Sequence, residues 1–431
     1  MIRTLVTVSF LLSSASVLAQ SLPEPSFPRL ALYSIGSPHN YEDTTRQSQM
    51  AKFDLVILNV WPNWESGRGT TMEQVVRGIK SRNSTTRVFL YVANNEYDDT
   101  WTAWPELKAK LDAERWWVYQ SGGDGVRVKS TWGTTHYIIN NTQGSRRDAG
   151  GRTFPEWFAQ YIVDTFYRPN PSIDGFFLDN TFWKPRVDGD WNRDGTTDPQ
   201  DSEVARLMMQ EGLRRHFEVM SALMPGKIQI ANVADFGGDN TNLAGISGII
   251  QGGIIEHMLG SQYSPERWVG WPGTMRHYRK TRAALAGPKL TVCHQEGEPS
   301  KYRDFRYGLA TCLMDDGYYF FSPGNFHDIV WFDEFDVDLG RAISSTPTSS
   351  WHKGVYRRDF ERGIVLVNPK DNGPQDVQLE SEFRRIAGRQ DPTVNSGQAV
   401  HSLRLEDRDG IVLLRASALA RPVAPSNVRV E

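Results

Sequence analysis

The nine residues from Ser172 to Asn180, SIDGFFLDN, set the reading of the whole chain. A turn-forming start gives way to Phe176, Phe177 and Leu178, the pattern of a short strand buried on both faces. Side chains alternate along a strand, so Phe177 and Asp179 share one face opposite Phe176 and Leu178, and a carboxylate ends the inward-facing row. Working outward, seven more runs of this type appear: RLALYSIG from Arg29, FDLVILNVW from Phe53, RVFLYVANNE from Arg87, KIQIANVAD from Lys227, GIIQGGIIEHM from Gly248, KLTVCHQEG from Lys289 and GYYFFSPG from Gly317. Helical patterns intervene, among them FPEWFAQYIVDTFY from Phe154, SEVARLMMQEGLRRHFEVMSAL from Ser202 and DFRYGLATCLMDD from Asp304. Repeated strand–helix units imply a parallel sheet. Eight of them predict an α/β fold, a (β/α)8 TIM barrel over residues 20–348.

Between the third and fourth strands lie about seventy residues, far more than an ordinary connection of 2 to 6. This insertion, about 99–150, predicts a short helix near Trp104 to Glu114, a hairpin around Gly122 to Gly125 and a strand from Thr135, and it carries Trp101, Trp104, Trp116, Trp117 and Trp132. Loops that follow barrel strands gather at one face, so it is expected to wall the mouth of the barrel. Beyond residue 348 the helical pattern stops. Residues 349–431 predict a small antiparallel β domain, closing with a hairpin at Asp409-Gly410 and fraying from Arg421.

Composition narrows the partners. With 48 Lys and Arg against 51 Asp and Glu, the net charge of −3 leaves no footprint for nucleic acid or an anionic membrane. Fourteen Trp, on the other hand, include rings that can stack on sugar faces. Arg3, the apolar stretch Leu5 to Leu12 and Val17-Leu18-Ala19 predict a signal peptide over residues 1–19 and a soluble, exported chain, secreted or periplasmic. Two cysteines, Cys293 and Cys312, exclude a disulfide-stapled scaffold and leave open whether they are bridged. Nine scattered histidines show no zinc pattern, and neither a phosphate-binding glycine loop nor a GxSxG elbow occurs.

Carboxylates at the C-terminal ends of barrel strands converge on one cavity. The fourth strand supplies Asp179, the sixth Glu256 and the seventh Glu296. Two carboxyl groups flanking a cleft are what glycoside hydrolysis requires, one to protonate the leaving oxygen and one to attack the anomeric carbon or activate water. Asn59 and Trp61 close the second strand, Asn94 and Asn95 the third, Asn180 and Trp183 the fourth, and Asn232 the fifth, a set suited to hydroxyls and ring faces. Asn59, Trp61, Asn94, Asn180, Trp183, Asn232 and Glu296 are the expected substrate-binding residues.

These motifs carry a family resemblance. LVILNVWPNW, DGFFLDNTFW, the WWVYQSGGDGVRV and THYIINNT insertion and GGIIEHM are similar to hypothetical glycosyl hydrolase family 15, secreted barrels distantly similar to the endo-α-1,4-polygalactosaminidases. The resemblance implies that an Asp ending the fourth strand and a Glu from a later strand act together, here Asp179 as nucleophile or general base and Glu256 as general acid. The expected function is an exported glycoside hydrolase acting on a poly- or oligosaccharide, with a non-catalytic carbohydrate-binding barrel and a calcium-dependent polysaccharide lyase as alternatives. A polysaccharide panel with product mass spectrometry separates the three.

A separate signal follows the fourth strand in DGDWNRDGTTDPQD. Asp190, Asn192, Asp194, Thr196, Asp198 and Asp201 stand at positions 1, 3, 5, 7, 9 and 12 of a calcium-loop spacing with Gly195 at 6. Asp in place of Glu at position 12 is similar to the dockerin loop; no entering helix is apparent. The expectation is a structural Ca2+ pinning the loop that leaves the Asp179 strand.

Overall fold

The computed structural model describes residues 24–121, 125–233 and 243–416. The segment 1–19, the tip of the expected hairpin at 122–124 and the tail from Arg421 lie outside the described residues. The chain opens with β1 (Ala31–Ser34), α1 (Thr44–Met50), β2 (Leu55–Asn59), α2 (Met72–Arg82) and β3 (Arg87–Ala93). The insertion then contributes β4 (Glu96–Asp98), α3 (Pro105–Glu114) and β5 (His136–Ile138). After α4 (Phe154–Ile162), which runs on into a π-turn over Val163–Tyr167, come β6 (Gly175–Asp179), α5 (Glu203–Leu223) and β7 (Ile228–Asn232). β8 (Gly252–Leu259), α6 (Glu266–Ala284), β9 (Leu290–Glu296), α7 (Tyr302–Leu313) and β10 (Tyr318–Ser322) complete this part. After a 3-10 turn at Asp333–Asp336, the described remainder contributes five strands: β11 (Tyr356–Asp359), β12 (Gly363–Asn368), β13 (Gln375–Arg385), β14 (Ala399–Leu405) and β15 (Asp409–Arg415).

Eight strands pair in parallel in the order β1-β2-β3-β6-β7-β8-β9-β10. The ring closes where Tyr319 N donates to the Arg29 carbonyl at 2.8 Å, beside a parallel bridge from Leu30 to Tyr319. The fold is therefore the expected (β/α)8 barrel with a separate antiparallel sheet. Each strand is apolar on both faces because the barrel interior lies on one side and the helices on the other. Burial gives way at the C-terminal ends, where β2, β6, β7 and β9 finish on the half-exposed Asn59, Asp179, Asn232 and Glu296. Gly175 lets β6 approach β7, since a Cβ there would fall 1.6 Å from the Ile228 carbonyl oxygen.

Within the insertion, β4 and β5 pair antiparallel, and the bridge Tyr119 to Arg127 joins the two sides of the expected hairpin. Its tryptophans divide. Trp116 and Trp117 are core, whereas Trp101 and Trp132 are exposed.

The C-terminal sheet has the order β11-β12-β15-β13-β14. This corrects the expected hairpin at Asp409-Gly410: Asp409 pairs with Asn368 and Gly410 with Val367, inside β15. Gly410 serves close approach, because a Cβ there would meet Ala310 Cβ at 2.6 Å and the Arg306 carbonyl oxygen at 2.7 Å on α7. The chain reverses just before, where Arg408 takes a left-handed conformation (φ 54°). β12 is buried on both faces: Ile364 and Leu366 join a small core with Val377, Phe383 and Leu413, while Val365 and Val367 join the barrel's own core. Charged bonds secure the junction, with Arg306 on Asp391 at 2.5 Å and Arg358 on Asp316 at 2.5 Å. Cys293 and Cys312 are buried and unbridged. No helix among the described residues is long and apolar enough to cross a membrane.

Candidate active site

Asp179, Asn232 and Glu256 come from β6, β7 and β8, three neighbouring strands. The Asn232 side-chain amide nitrogen donates to Asp179 Oδ1 at 2.9 Å and to Glu256 Oε2 at 2.8 Å. One nitrogen thus holds both carboxylates, and the two accepting oxygens lie within about 6 Å of each other. The other oxygen of Asp179 accepts from the Tyr91 hydroxyl at 2.8 Å. Tyr91 sits on β3 opposite Phe177, two residues ahead of the Ala93–Asp179 pair, so strand alternation turns it to the same face. Its hydroxyl is held well above its ordinary pKa, first by burial and then by the negative charge of Asp179.

Glu256 sits in an irregular stretch. β8 pairs Ile255 with Cys293 and next Leu259 with Gln295, so a bulge carries Glu256, His257 and Met258 out of the ladder. His257 is left-handed (φ 52°), and its N–H donates to His294 Nδ1 at 3.0 Å. Bulges next to active sites re-aim side chains. Burial, reinforced by the charge of Asp179, pushes the Glu256 carboxyl up to about 7, against the opposing bond from Asn232. Glu296 Oε2 lies 3.7 Å from His257 Nδ1. Both His257 and His294 are depressed by burial, which keeps them neutral beside the acid.

Two cavities reach this centre through neighbouring residues; Asp179, Asn232 and Glu256 line neither of them. One, of about 500 Å³, is lined by Asn59, Trp61, Tyr91, Glu96, Trp101 and Trp104. The other, of about 740 Å³, reaches from Glu296 to the turns of the C-terminal sheet. Tyr91 joins the first cavity to Asp179, and Glu296 joins the second to the residue after Glu256.

Of the expected substrate-binding residues, Asn59, Trp61 and Glu296 line these cavities, and Asn232 bridges the acids. Asn94 is 1 % exposed and lines neither cavity, and neither of its side-chain polar atoms is bonded. Asn180 is left-handed (φ 53°) and half-buried, and neither it nor the half-buried Trp183 lines the two cavities. Tyr91 and Glu96 escaped the reading of the sequence, although Tyr91 was within reach of simple alternation. Glu96, raised chiefly by burial, accepts from the Ser130 hydroxyl across the insertion.

In the loop from Asp190 to Asp201, Gly195 N donates to Asp190 Oδ2 at 3.0 Å, Asp194 N to Asn192 Oδ1 at 2.9 Å and Thr196 N to Asp194 Oδ1 at 2.8 Å. Asp198 Oδ2 accepts from Trp191 N at 3.1 Å, and Asp201 is exposed. Asp190 is 4 % exposed, and its Oδ1 has no partner. Among the described residues, no three His, Cys, Asp or Glu side chains converge as a metal-binding group.

The model of hypothetical glycosyl hydrolase family 15 matches residues 80–364. No curated protein matches the chain. Among solved structures, the glycoside hydrolase domain of PelA from Pseudomonas aeruginosa is similar at 15 % identity and TM-score 0.42, over 71 % of this chain and 98 % of that one. The alpha-amylase from Geobacillus thermoleovorans complexed with acarbose aligns at 11 % identity and TM-score 0.48, over 87 % of this chain and 91 % of that one. The cycloalternan-degrading enzyme from Trueperella pyogenes does so at 12 % and 0.47, over 90 % and 62 %.

Proposed function

The chain belongs to hypothetical glycosyl hydrolase family 15 and is a glycoside hydrolase; from that premise we propose that it cleaves a poly- or oligosaccharide with retention of configuration, using Asp179 as nucleophile and Glu256 as general acid and base. The observation that carries this reading is the single Asn232 amide nitrogen bonded to both carboxylates. It keeps the pair near the separation of about 5–5.5 Å at which the second carboxylate reaches the anomeric carbon, and short of the roughly 6.5–9.5 Å that leaves room for an attacking water. Glu256, raised to about 7, keeps a substantial protonated fraction near neutrality, and that form delivers its proton to the leaving oxygen. Asp179 then forms the glycosyl ester, and Glu256, now ionised, takes a proton from the water that hydrolyses it. Rings at Trp61, Trp101 and Trp104 offer stacking faces for the sugar.

Hydrolysis of a polysaccharide panel followed by proton NMR of the first-formed anomer tests the proposal. Retained configuration, lost in Asp179→Asn, is the expected result; inversion overturns the nucleophile, and full activity in Glu256→Gln transfers the acid role to Glu96.

We also propose a structural calcium ion in the loop from Asp190 to Asp201, with Asp190, Asn192, Asp194, Asp198, Asp201 and the Thr196 carbonyl as the oxygen donors. The buried, unpartnered Asp190 Oδ1 supports it; among the described residues no three carboxylates converge, so in this reading the ion draws the loop's side chains together. Export follows from the Arg3 to Ala19 segment in this reading, and sequencing of the mature N-terminus checks it.

A further inference from the structure

The two cavities differ in chemistry. The lining of the smaller is aromatic on the insertion side. The larger has no aromatic ring, and its walls carry four acidic and four basic side chains. A balanced lining repels neither sign of charge but attracts neither strongly, and it supplies donors and acceptors in equal measure, which is what vicinal hydroxyl groups need. Its walls come from the segments that follow β8 and β9 and from two turns of the C-terminal sheet, which bring Lys370 and Arg408, with Pro323 after β10 filling in beside them.

The wall from the C-terminal sheet is fixed in place. Arg408 donates through Nη1 to Asp304 at 2.7 Å and through Nε to Glu266 at 3.3 Å, and neither bond uses Nη2. Its guanidinium lies 4.6 Å from the Tyr307 ring centre, and the Tyr307 hydroxyl donates to Glu266 in turn. Glu266 is 8 % exposed, so this anchor is largely withdrawn from water. Burial of β12 and β15 against the barrel holds both turns at the rim.

The geometry points to a role for the C-terminal sheet in substrate binding: with the insertion it encloses a cleft that crosses the acid pair, and its Lys370 and Arg408 wall receives the sugar units beyond the scissile bond through their hydroxyls. This inference rests on the proposed hydrolysis and deepens it, because it names a neutral, hydroxyl-rich polymer as the substrate class. A chain that runs from the tryptophan side to the Lys370 side places Asp179 and Glu256 mid-cleft, which is the arrangement for endo cleavage.

Affinity electrophoresis in gels cast with amylose, dextran, galactan, mannan, xylan, chitosan or pectate tests it, using the Asp179→Asn variant so that no polymer is consumed. At least one neutral polymer is expected to retard the protein. Adding Arg267→Ala and Lys370→Ala, two exposed cavity residues whose loss leaves the folded core untouched, is expected to raise the dissociation constant about tenfold with an unchanged melting temperature. Retardation by chitosan or pectate alone, by no gel, or to the same degree after the double substitution overturns the inference. Binding that behaves as expected in a protein whose wild-type form cleaves none of the polymers leaves the cleft standing and removes the hydrolytic reading instead. For a cleaved polymer, the double substitution in the otherwise wild-type protein is expected to raise KM.

Discussion

Along β3 and β6 the register runs unbroken from Phe89 opposite Gly175 to Ala93 opposite Asp179, whereas β8 uses the stretch from Ile255 to Leu259 to span what β9 covers from Cys293 to Gln295. The two walls of the acid pair therefore present their carboxylates differently. On the regular wall, Asp179 simply ends a strand and accepts from two donors, Tyr91 and Asn232. On the bulged wall, Glu256 is carried out of the ladder into a half-buried position next to His257, and desolvation with the charge of Asp179 holds its carboxyl up to about 7. Regular pairing gives a well-bonded carboxylate suited to carrying negative charge; an interrupted ladder gives a poorly solvated one suited to carrying a proton.

The sharpest way to break this contrast is to neutralise the regular wall. Asp179→Asn is expected to lower kcat by at least ~10²-fold with the fold intact, because no other carboxylate can form the ester. Glu256→Gln is expected to cost about as much on substrates with poor leaving groups and markedly less on aryl glycosides, whose leaving oxygen needs no proton. An equal loss on both substrate types would mean that the two walls do not divide the work.

Stability offers an independent handle. The folded state keeps the Glu256 proton up to about 7 while the unfolded chain releases it near 4.5, so this group's contribution to stability is present at low pH and lost as the pH rises through about 7. Glu256→Gln is accordingly expected to raise the melting temperature relative to wild type at pH 8 and to change it little at pH 4, below the unfolded value. Activity of the wild type is expected to fall above about pH 7 for the same reason, and an alkaline limb well above that value would refute the buried acid.

Smaller effects follow from the supports. Tyr91→Phe removes one charge-assisted bond from Asp179, and a rate loss of roughly tenfold is expected together with a modest fall in Tm. The smallest effect is expected from the calcium loop, which hangs from the regular wall. A chelator should lower Tm by a few degrees, calcium should restore it better than magnesium, and Asp194→Ala should remove the response. Indifference to chelator in protein shown by metal analysis to be empty would end that proposal.

How much of this was legible in the sequence follows from the same contrast. Where the backbone is regular, two-residue alternation suffices: all eight barrel strands, Asp179, Asn232 and the position of Glu256 on the sixth strand could be read directly. Alternation would also have yielded Tyr91, had the third strand been aligned with the fourth. Where the backbone departs from regularity, sequence carries little signal. The bulge that aims Glu256 depends on the register of β9. Asp409-Gly410 resembled a hairpin turn because Gly permits one, although this Gly is required by the approach of a helix from the other unit.

The strand order of the C-terminal sheet also shapes how the molecule is made. Among the described residues β15 is the last strand in sequence and the central one in space, inserted between β12 and β13. Until it arrives, β11–β12 and β13–β14 are two hairpin-like pieces with no shared hydrogen bonds, and each pairing that joins them is non-local, as with Gly363 opposite Leu414. Such contacts repay their loop-closure entropy late. The sheet is therefore a structure that locks in a single terminal step, with α7 of the already closed barrel as the surface on which the last strand is laid.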